Sequence, residues 1–335
     1  MRRYVLGRVA VAPVFLFVIL TTLFVLLRVL PGDPVTVALG GRLSPAQIAS
    51  RRAAAGLDQP LWVQYWEYLS GVVRGDFGRA VTDPRPVGRI VADLFPATFE
   101  LVLFGMVVAV AIGFVFGALG ARYRDTPLDA GSRLLGIVLY AAPVFWTGIL
   151  AQLFFANRLG WLPTGNRIGA RMPVGQVKLT GFYLLDGVLR GNWTFFWDAL
   201  RHLLLPGLTL GLVIAGVFIR MVRVNMLQTL RADYVEAARA RGVSERRVVF
   251  RHALRNALVP VVTMIGLQLA VLLAGAILTE TTFSWPGLSS ALVRFLNNRD
   301  YAAVQGIVTF IAVLVVGISL LIDLVNALID PRVRY

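Results

Sequence analysis

Of 335 residues, 57% are hydrophobic and only 15% are charged, an apolar excess that a soluble core does not need and a bilayer does. The net charge of +15 is spread over short segments between apolar runs, which fits the positive-inside rule and not a phosphate-binding groove, so nucleic acid is excluded as a partner. The absence of cysteine excludes disulfides, iron–sulfur clusters and thiolate zinc sites. The two histidines, His202 and His252, have no ligand partner at helical spacing, so no metal site is expected.

Six long apolar runs follow in chain order: Val9–Leu27, Leu101–Ala121, Leu134–Asn157, Leu203–Ile219, Ala257–Thr279 and Tyr301–Ile322. Each approaches or exceeds the roughly 18–20 residues that cross a bilayer as a helix. None alternates like a barrel strand. The first is read as a retained span, because its apolar run is too long for a signal peptide and no Ala-x-Ala cleavage pattern follows.

The loops divide into two sets. Segments 1–8, 122–133, 220–256 and 331–335 carry 17 basic residues, against 15 in segments 30–95, 158–202 and 280–300, which together are about twice as long. The denser set is placed in the cytoplasm, with both termini. Outside, Trp62, Tyr65, Trp66 and Tyr68 predict an amphipathic helix at the membrane interface. Trp161, Trp193 and Trp197 extend an aromatic belt, or a docking surface for an external partner.

Within the spans, small residues recur every four positions: Ala109, Gly113, Gly117 and Ala121; Gly207, Gly211 and Ala215; Gly266, Ala270 and Ala274. Such spacing lets helices approach closely. It reads as a tight bundle, or more sharply as a sliding seam. Arg28, Glu100, Arg220 and Asp323 fall at span ends, where interface water solvates them, and the span centres hold only neutral polar groups. That argues against an ion-coupled carrier and against a channel. Thr263, Gln268 and Thr279 are the candidates for a translocation pathway, against the plainer reading as interhelical glue.

The loop 230–256 breaks the apolar pattern. Leu230 to Arg241 is rich in helix formers, with Tyr234, Ala237, Ala238 and Arg241 on one face, and Glu236 spaced to pair with Arg239. Gly242 predicts a left-handed residue ending that helix. Ser244 predicts a cap for a second helix, which carries an arginine stripe of Arg247, Arg251 and Arg255 facing lipid headgroups. A short helix with small side chains suits a groove on a partner protein.

The run Glu236-Ala237-Ala238, then Gly242, then Leu258-Val259-Pro260 resembles the EAA loop of bacterial ABC importer permeases. Leu30-Pro31-Gly32-Asp33-Pro34, Gly56-Leu57-Asp58-Gln59-Pro60, Gly75-Asp76-Phe77-Gly78, Arg255 to Pro260, Glu280 to Phe283 with Pro286-Gly287, and Asp330-Pro331-Arg332-Val333-Arg334 extend the resemblance to the dipeptide/oligopeptide, DppB/OppB-type, permeases over nearly the whole chain. The external segment near 165–200, with Arg167, Arg171 and Asp186, is longer than in many members.

The resemblance implies an all-α membrane protein of the type I importer fold, with six transmembrane helices, amphipathic periplasmic helices and a cytoplasmic coupling helix. It implies a first span within residues 1–30 and an extracytoplasmic segment over 31–95. A permease core over 96–330 follows, with helices near 97–121, 132–157, 202–226, 257–279 and 301–324, then a cytoplasmic tail at 331–335. The implied site is a bacterial inner membrane. The implied partners are a second permease, two ATPase subunits that bind ATP and Mg, an external peptide-binding protein, and lipid. Asp233, Tyr234, Glu236, Ala237, Ala238 and Gly242 would contact an ATPase subunit. The chain itself has no Gly-x-x-x-x-Gly-Lys-Ser/Thr loop, since its only lysine is Lys178, so neither nucleotide binding nor catalysis is expected of it. Cargo such as nickel, glutathione, haem or sugar remains open, as does an ion-coupled secondary carrier.

Overall fold

The computed structural model describes residues 2–29, 36, 44–54, 56–249, 254–257 and 259–329. Leu30-Pro31-Gly32-Asp33-Pro34, Arg251, Leu258 and Asp330-Pro331-Arg332-Val333-Arg334 lie outside them. Helices dominate: α1 Arg2–Val29, α2 Pro45–Ala54, α3 Leu61–Val73, α4 Val87–Arg122, α5 Pro127–Ala141 and α6 Val144–Ala151, which runs on as a π-helical turn over Gln152–Arg158. Then come α7 Tyr183–Leu189, α8 Trp193–Leu230, α9 Asp233–Ala240, α10 Val259–Gly275, α11 Ile277–Thr282, α12 Leu288–Asn297 and α13 Tyr301–Ile329. No strand occurs among the described residues, which agrees with the all-α expectation.

The helices do not coincide with the apolar runs. With 36 and 38 residues, α4 and α8 are about 54 and 57 Å long, well beyond a hydrocarbon layer of about 30 Å. Helix α4 starts well before its apolar run, at Val87 against Leu101, and α8 likewise, at Trp193 against Leu203, and Asn192 caps α8 by accepting from the Phe195 N–H at 3.0 Å.

The third run is not one straight helix. It breaks at Ala142–Pro143, where α5 and the following helix bend by 98°. The proline forces Ala142 into an extended conformation, with φ −75° and ψ 125°. The fifth run breaks at Ala276 and leaves α10 with 17 residues. Four described helices are long and apolar enough to cross a membrane, or five if the bent pair counts as one.

The central seam joins α4 and α8. A Cβ on Gly113 would collide with Phe218, and one on Gly117 would lie 2.8 Å from Ile219 O and Val222 Cβ. Across the same seam, a Cβ on Gly211 would lie 2.7 Å from Gly105 O and Val108 Cβ. The expected small-residue spacing therefore makes close contact, but the surface is not smooth: each glycine receives a side chain from the opposite helix. Sliding would have to lift Phe218 out of its place. Helix α5 joins the pair where Gly216 lies against the backbone of Gly136. The small residue Gly266 of α10 instead receives Ile322 of α13.

On the other side, α1 pairs with α13 through Arg8 and Asp323 at 3.4 Å. Helix α3 lies against both. Tyr65 bonds Thr21 at 2.6 Å and Tyr68 bonds Thr309 at 2.7 Å, with Phe24 against both rings. The four aromatics thus do not form one belt. Trp62 and Trp66 are exposed at 74% and 69%, while the two tyrosines fasten the helix to the spans.

Candidate functional site

Helix α8 ends at Leu230, and α9 starts after the two-residue turn Arg231–Ala232. Its first turn holds Asp233 and Glu236, whose charges suit a helix N-terminus. It ends in a full Schellman arrangement: the Gly242 N–H donates to Arg239 O at 2.9 Å and the Val243 N–H to Ala238 O at 3.2 Å. Gly242 sits at φ +77°, the left-handed conformation expected from the sequence.

One face of α9 is sealed. Val235, Ala238 and Val248 are buried together, with Leu230 and Val243 packed on them. Ala238 therefore faces the protein's own apolar cluster, and the single face drawn through Tyr234, Ala237, Ala238 and Arg241 is corrected. The outward side presents Asp233, Tyr234, Glu236 and Arg241 at the surface, with Ala237 half-buried.

Two other local expectations change. Arg239 forks onto Glu245, with Nε at 3.0 Å and Nη2 at 2.7 Å, and does not pair with Glu236. That contact lowers the Glu245 carboxyl below its ordinary value and fastens α9 to the next turn. Ser244 makes no side-chain cap. Its carbonyl accepts from the Arg247 and Val248 N–H groups, and it precedes a helix described over Glu245–Arg247 that continues as a π-helical turn at 248–249. A depression of about 280 Å³ lies between this turn and the end of α4, lined by Arg122, Arg124, Arg231 and Arg239 among others.

About two helix turns deeper, Arg223 of α8 forks onto Asp129 of α5, with Nε–Oδ1 at 2.6 Å and Nη2–Oδ2 at 2.9 Å. Asp129 is fully buried and also accepts the Asp125 N–H at 3.2 Å. Sequence reasoning missed this pair, because 94 residues separate its members.

At the opposite end of the bundle, two polar networks order the long connections. Arg167 is buried, pairs with Glu100, donates to Gly181 O and stacks 3.7 Å above the Tyr183 ring. Glu100, read from sequence as solvated at a span end, is instead enclosed by this arginine and the Leu184 N–H. Glu280, past the end of α10, accepts from Thr98 Oγ1 at 2.6 Å and from the Ser290 N–H at 2.7 Å. Thr98 Oγ1 in turn accepts the Leu288 N–H, and Trp285 Nε1 donates to Ala97 O. Burial raises the Glu280 carboxyl to about 7, against the opposing effect of the Thr98 and Ser290 bonds.

The pathway candidates fall on two helices. Thr263 and Gln268 are half-buried on α10, while Thr279 is enclosed on α11 beyond the Ala276 break. None lines the α9 depression or the smaller one beside Glu280.

Comparison with known proteins places this geometry. The profile of the binding-protein-dependent transport system inner membrane component family matches residues 109–335, and that of its N-terminal part matches residues 1–102. The chain is 42% identical over 324 residues to the di/tripeptide transport system permease protein DppB of Pseudomonas aeruginosa, with 96% of each chain covered. It is 40% identical to the dipeptide permease DppB of Escherichia coli K12, covering 100% of this chain and 99% of the relative. It is 36% identical to the glutathione transport permease GsiC of Salmonella choleraesuis, with 100% of both chains covered. A solved chain of the MetNI methionine ABC transporter shares the fold, with a TM-score of 0.52 at 14% identity over 70% of this chain and 93% of that one. Matched by family profiles on both sides of residue 105, this multi-pass helical chain, whose helix α8 leads through a two-residue turn into the surface helix α9, belongs to the binding-protein-dependent transport system inner membrane component family.

Proposed function

We propose that this chain is a membrane subunit of an ATP-driven importer of di- and tripeptides. The observation that carries the reading is full-length similarity to the DppB permeases, joined to an exposed α9 set at the end of an unbroken α8. On this reading Asp233, Tyr234, Glu236 and Ala237 touch an ATPase subunit, and Gly242 fixes the end of the helix that presents them. Ala238 supports that helix from beneath. Both termini and α9 are cytoplasmic, residues 31–95 lie outside, and 96–330 form the permease core. A second permease, two ATPase subunits that bind ATP and Mg, and an external peptide receptor complete the machine. The chain hydrolyses nothing itself.

A glutathione cargo is the second reading, because GsiC matches over the full chain. Proteoliposomes carrying the complete complex and its receptor distinguish the two. Expected is ATP-dependent uptake of labelled dipeptide and tripeptide, with excess glutathione competing poorly. Uptake of glutathione alone overturns the peptide reading. Uptake that survives ATP depletion and collapses with an ionophore overturns the ATP-driven reading altogether.

A further inference from the structure

The Asp129–Arg223 pair lies at the junction of three helices. Arg223 stands two turns before the end of α8, and Asp129 stands in the first turn of α5. Gly120 of α4 lies across them, where a Cβ would come within 3.3 Å of Ser132 Cβ, 3.4 Å of Asp129 Oδ1 and 3.5 Å of Arg223 Cδ. Arg133 adds a longer contact to Asp129 at 3.8 Å. A buried ion pair is a poor device for holding helices together, since apolar side chains of the same volume often do as well. What a two-toothed fork adds is orientation: a planar guanidinium on a carboxylate fixes rotation as well as distance.

That orientation has a destination. Helix α8 continues for seven residues beyond Arg223 and leads into α9 through the turn Arg231–Ala232. Helix α5 leads in the other direction to the 98° bend at Ala142–Pro143. Between the fork and the bend, α5 and α8 are in contact at Gly136 and Gly216, where side-chain interdigitation is replaced by backbone contact. Among the described residues, the fork is thus the one side-chain hydrogen-bonded link between the helix that leads to α9 and the helix that ends at the bend.

We propose that Asp129 and Arg223 are positioning residues for transport: their fork passes a displacement of α9 from α8 into α5 and so to the bend. The proposal rests on the reading of α9 as the contact with an ATPase subunit.

The test uses the complete complex with its receptor in proteoliposomes, and reads peptide imported per ATP hydrolysed. Arg223→Lys keeps the charge and loses the fork; Arg223→Gln and Asp129→Asn lose the pair. Expected is receptor-stimulated ATP hydrolysis close to wild type in all three, with import per ATP reduced about tenfold, a typical coupling energy between sites. Arg223→Lys is expected to fall with the others, because a point charge cannot set rotation. If import and hydrolysis fall in proportion, or if Arg223→Lys restores the wild-type ratio, the pair merely holds the fold and the proposal is overturned. A Tyr234→Cys crosslink to an ATPase subunit, measured beside wild-type residues 129 and 223, separates the two readings. Its absence overturns the reading of α9, whereas a crosslink with an unchanged transport ratio in the variants overturns only the proposal for the fork.

Discussion

Replacing Gly242 with valine isolates a cost that is purely conformational. A Cβ at this position meets nothing within 4 Å, so no clash contributes. The backbone sits at φ +77°, and an L-residue there costs about 1–2 kcal/mol, with more for a β-branched one. Relaxing φ to a permitted value instead breaks the two bonds from Gly242 and Val243, each worth about 1 kcal/mol. Both routes give about 2 kcal/mol. Helix α9 has eight residues and no side-chain cap, so it has little of its own to set against that loss. Hydrogen exchange on the purified chain is the assay. Amides of residues 236–243 in Gly242→Val are expected to exchange about tenfold to thirtyfold faster, while those of α8 above Met226 keep their protection. Gly242→Asn, which tolerates the left-handed region, is expected to recover most of the difference. If valine leaves the protection of α9 within about twofold of wild type, the end of the helix is not held by its backbone conformation and the argument fails.

Three further outcomes are expected. Gly113→Leu forces a side chain into the place of Phe218 and destabilises by about 1–3 kcal/mol in thermal melts, and Phe218→Ala in the same chain restores part of it; additive losses would show that the two residues do not share the seam. Ala238→Arg, which buries a charge among Val235 and Val248, unfolds the α9 turn to proteolysis, whereas Ala240→Arg at the exposed surface does not; equal sensitivity would refute the inward face assigned here. Glu280 binds its proton more tightly folded than unfolded, because burial raises its carboxyl to about 7. Its stabilising effect is therefore complete below the unfolded value of 4.5 and is lost as pH rises to about 7, by roughly 3 kcal/mol over that window. Melts of wild type and Glu280→Gln at pH 5 and pH 8 check the sign: the wild type loses the stability and the glutamine variant does not, and parallel slopes would exclude Glu280 as the source.

What the sequence disclosed was local, and what it hid was relational. Gly242 was readable because a glycine after a run of helix formers requires only its own backbone. The small residues of α4 and α8 were readable because close approach repeats every turn. Pro143 was overlooked inside an apolar run that length alone made a single span, although the residue before a proline is pushed out of helical conformation. Ala238 was placed on the outer face because helical spacing gives the angle between side chains but not the direction of the core; Val248, ten residues on, supplies that direction. Tyr65 and Tyr68 were grouped with Trp62 and Trp66 for the same reason, since only Thr21 and Thr309 reveal which side is inward. Asp129 and Arg223 carried no signal in one sequence, because nothing in either neighbourhood names its partner.

The 38 residues of α8 carry it through two solvents. About 20 residues suffice for the hydrocarbon, so α8 has about 18 more than the crossing needs, and apolar burial outside lipid again has its full driving force. Phe195 and Ala199, both buried, precede the apolar run that starts at Leu203, where that force would hold them, while Gly211 and Gly216 farther along rely on close contact that lipid neither favours nor opposes. A single rod would thus have a short cold-sensitive end and a longer stretch indifferent to cooling. Chilling a detergent-solubilised sample would loosen the wet end first, with the lipid-matched end still closed.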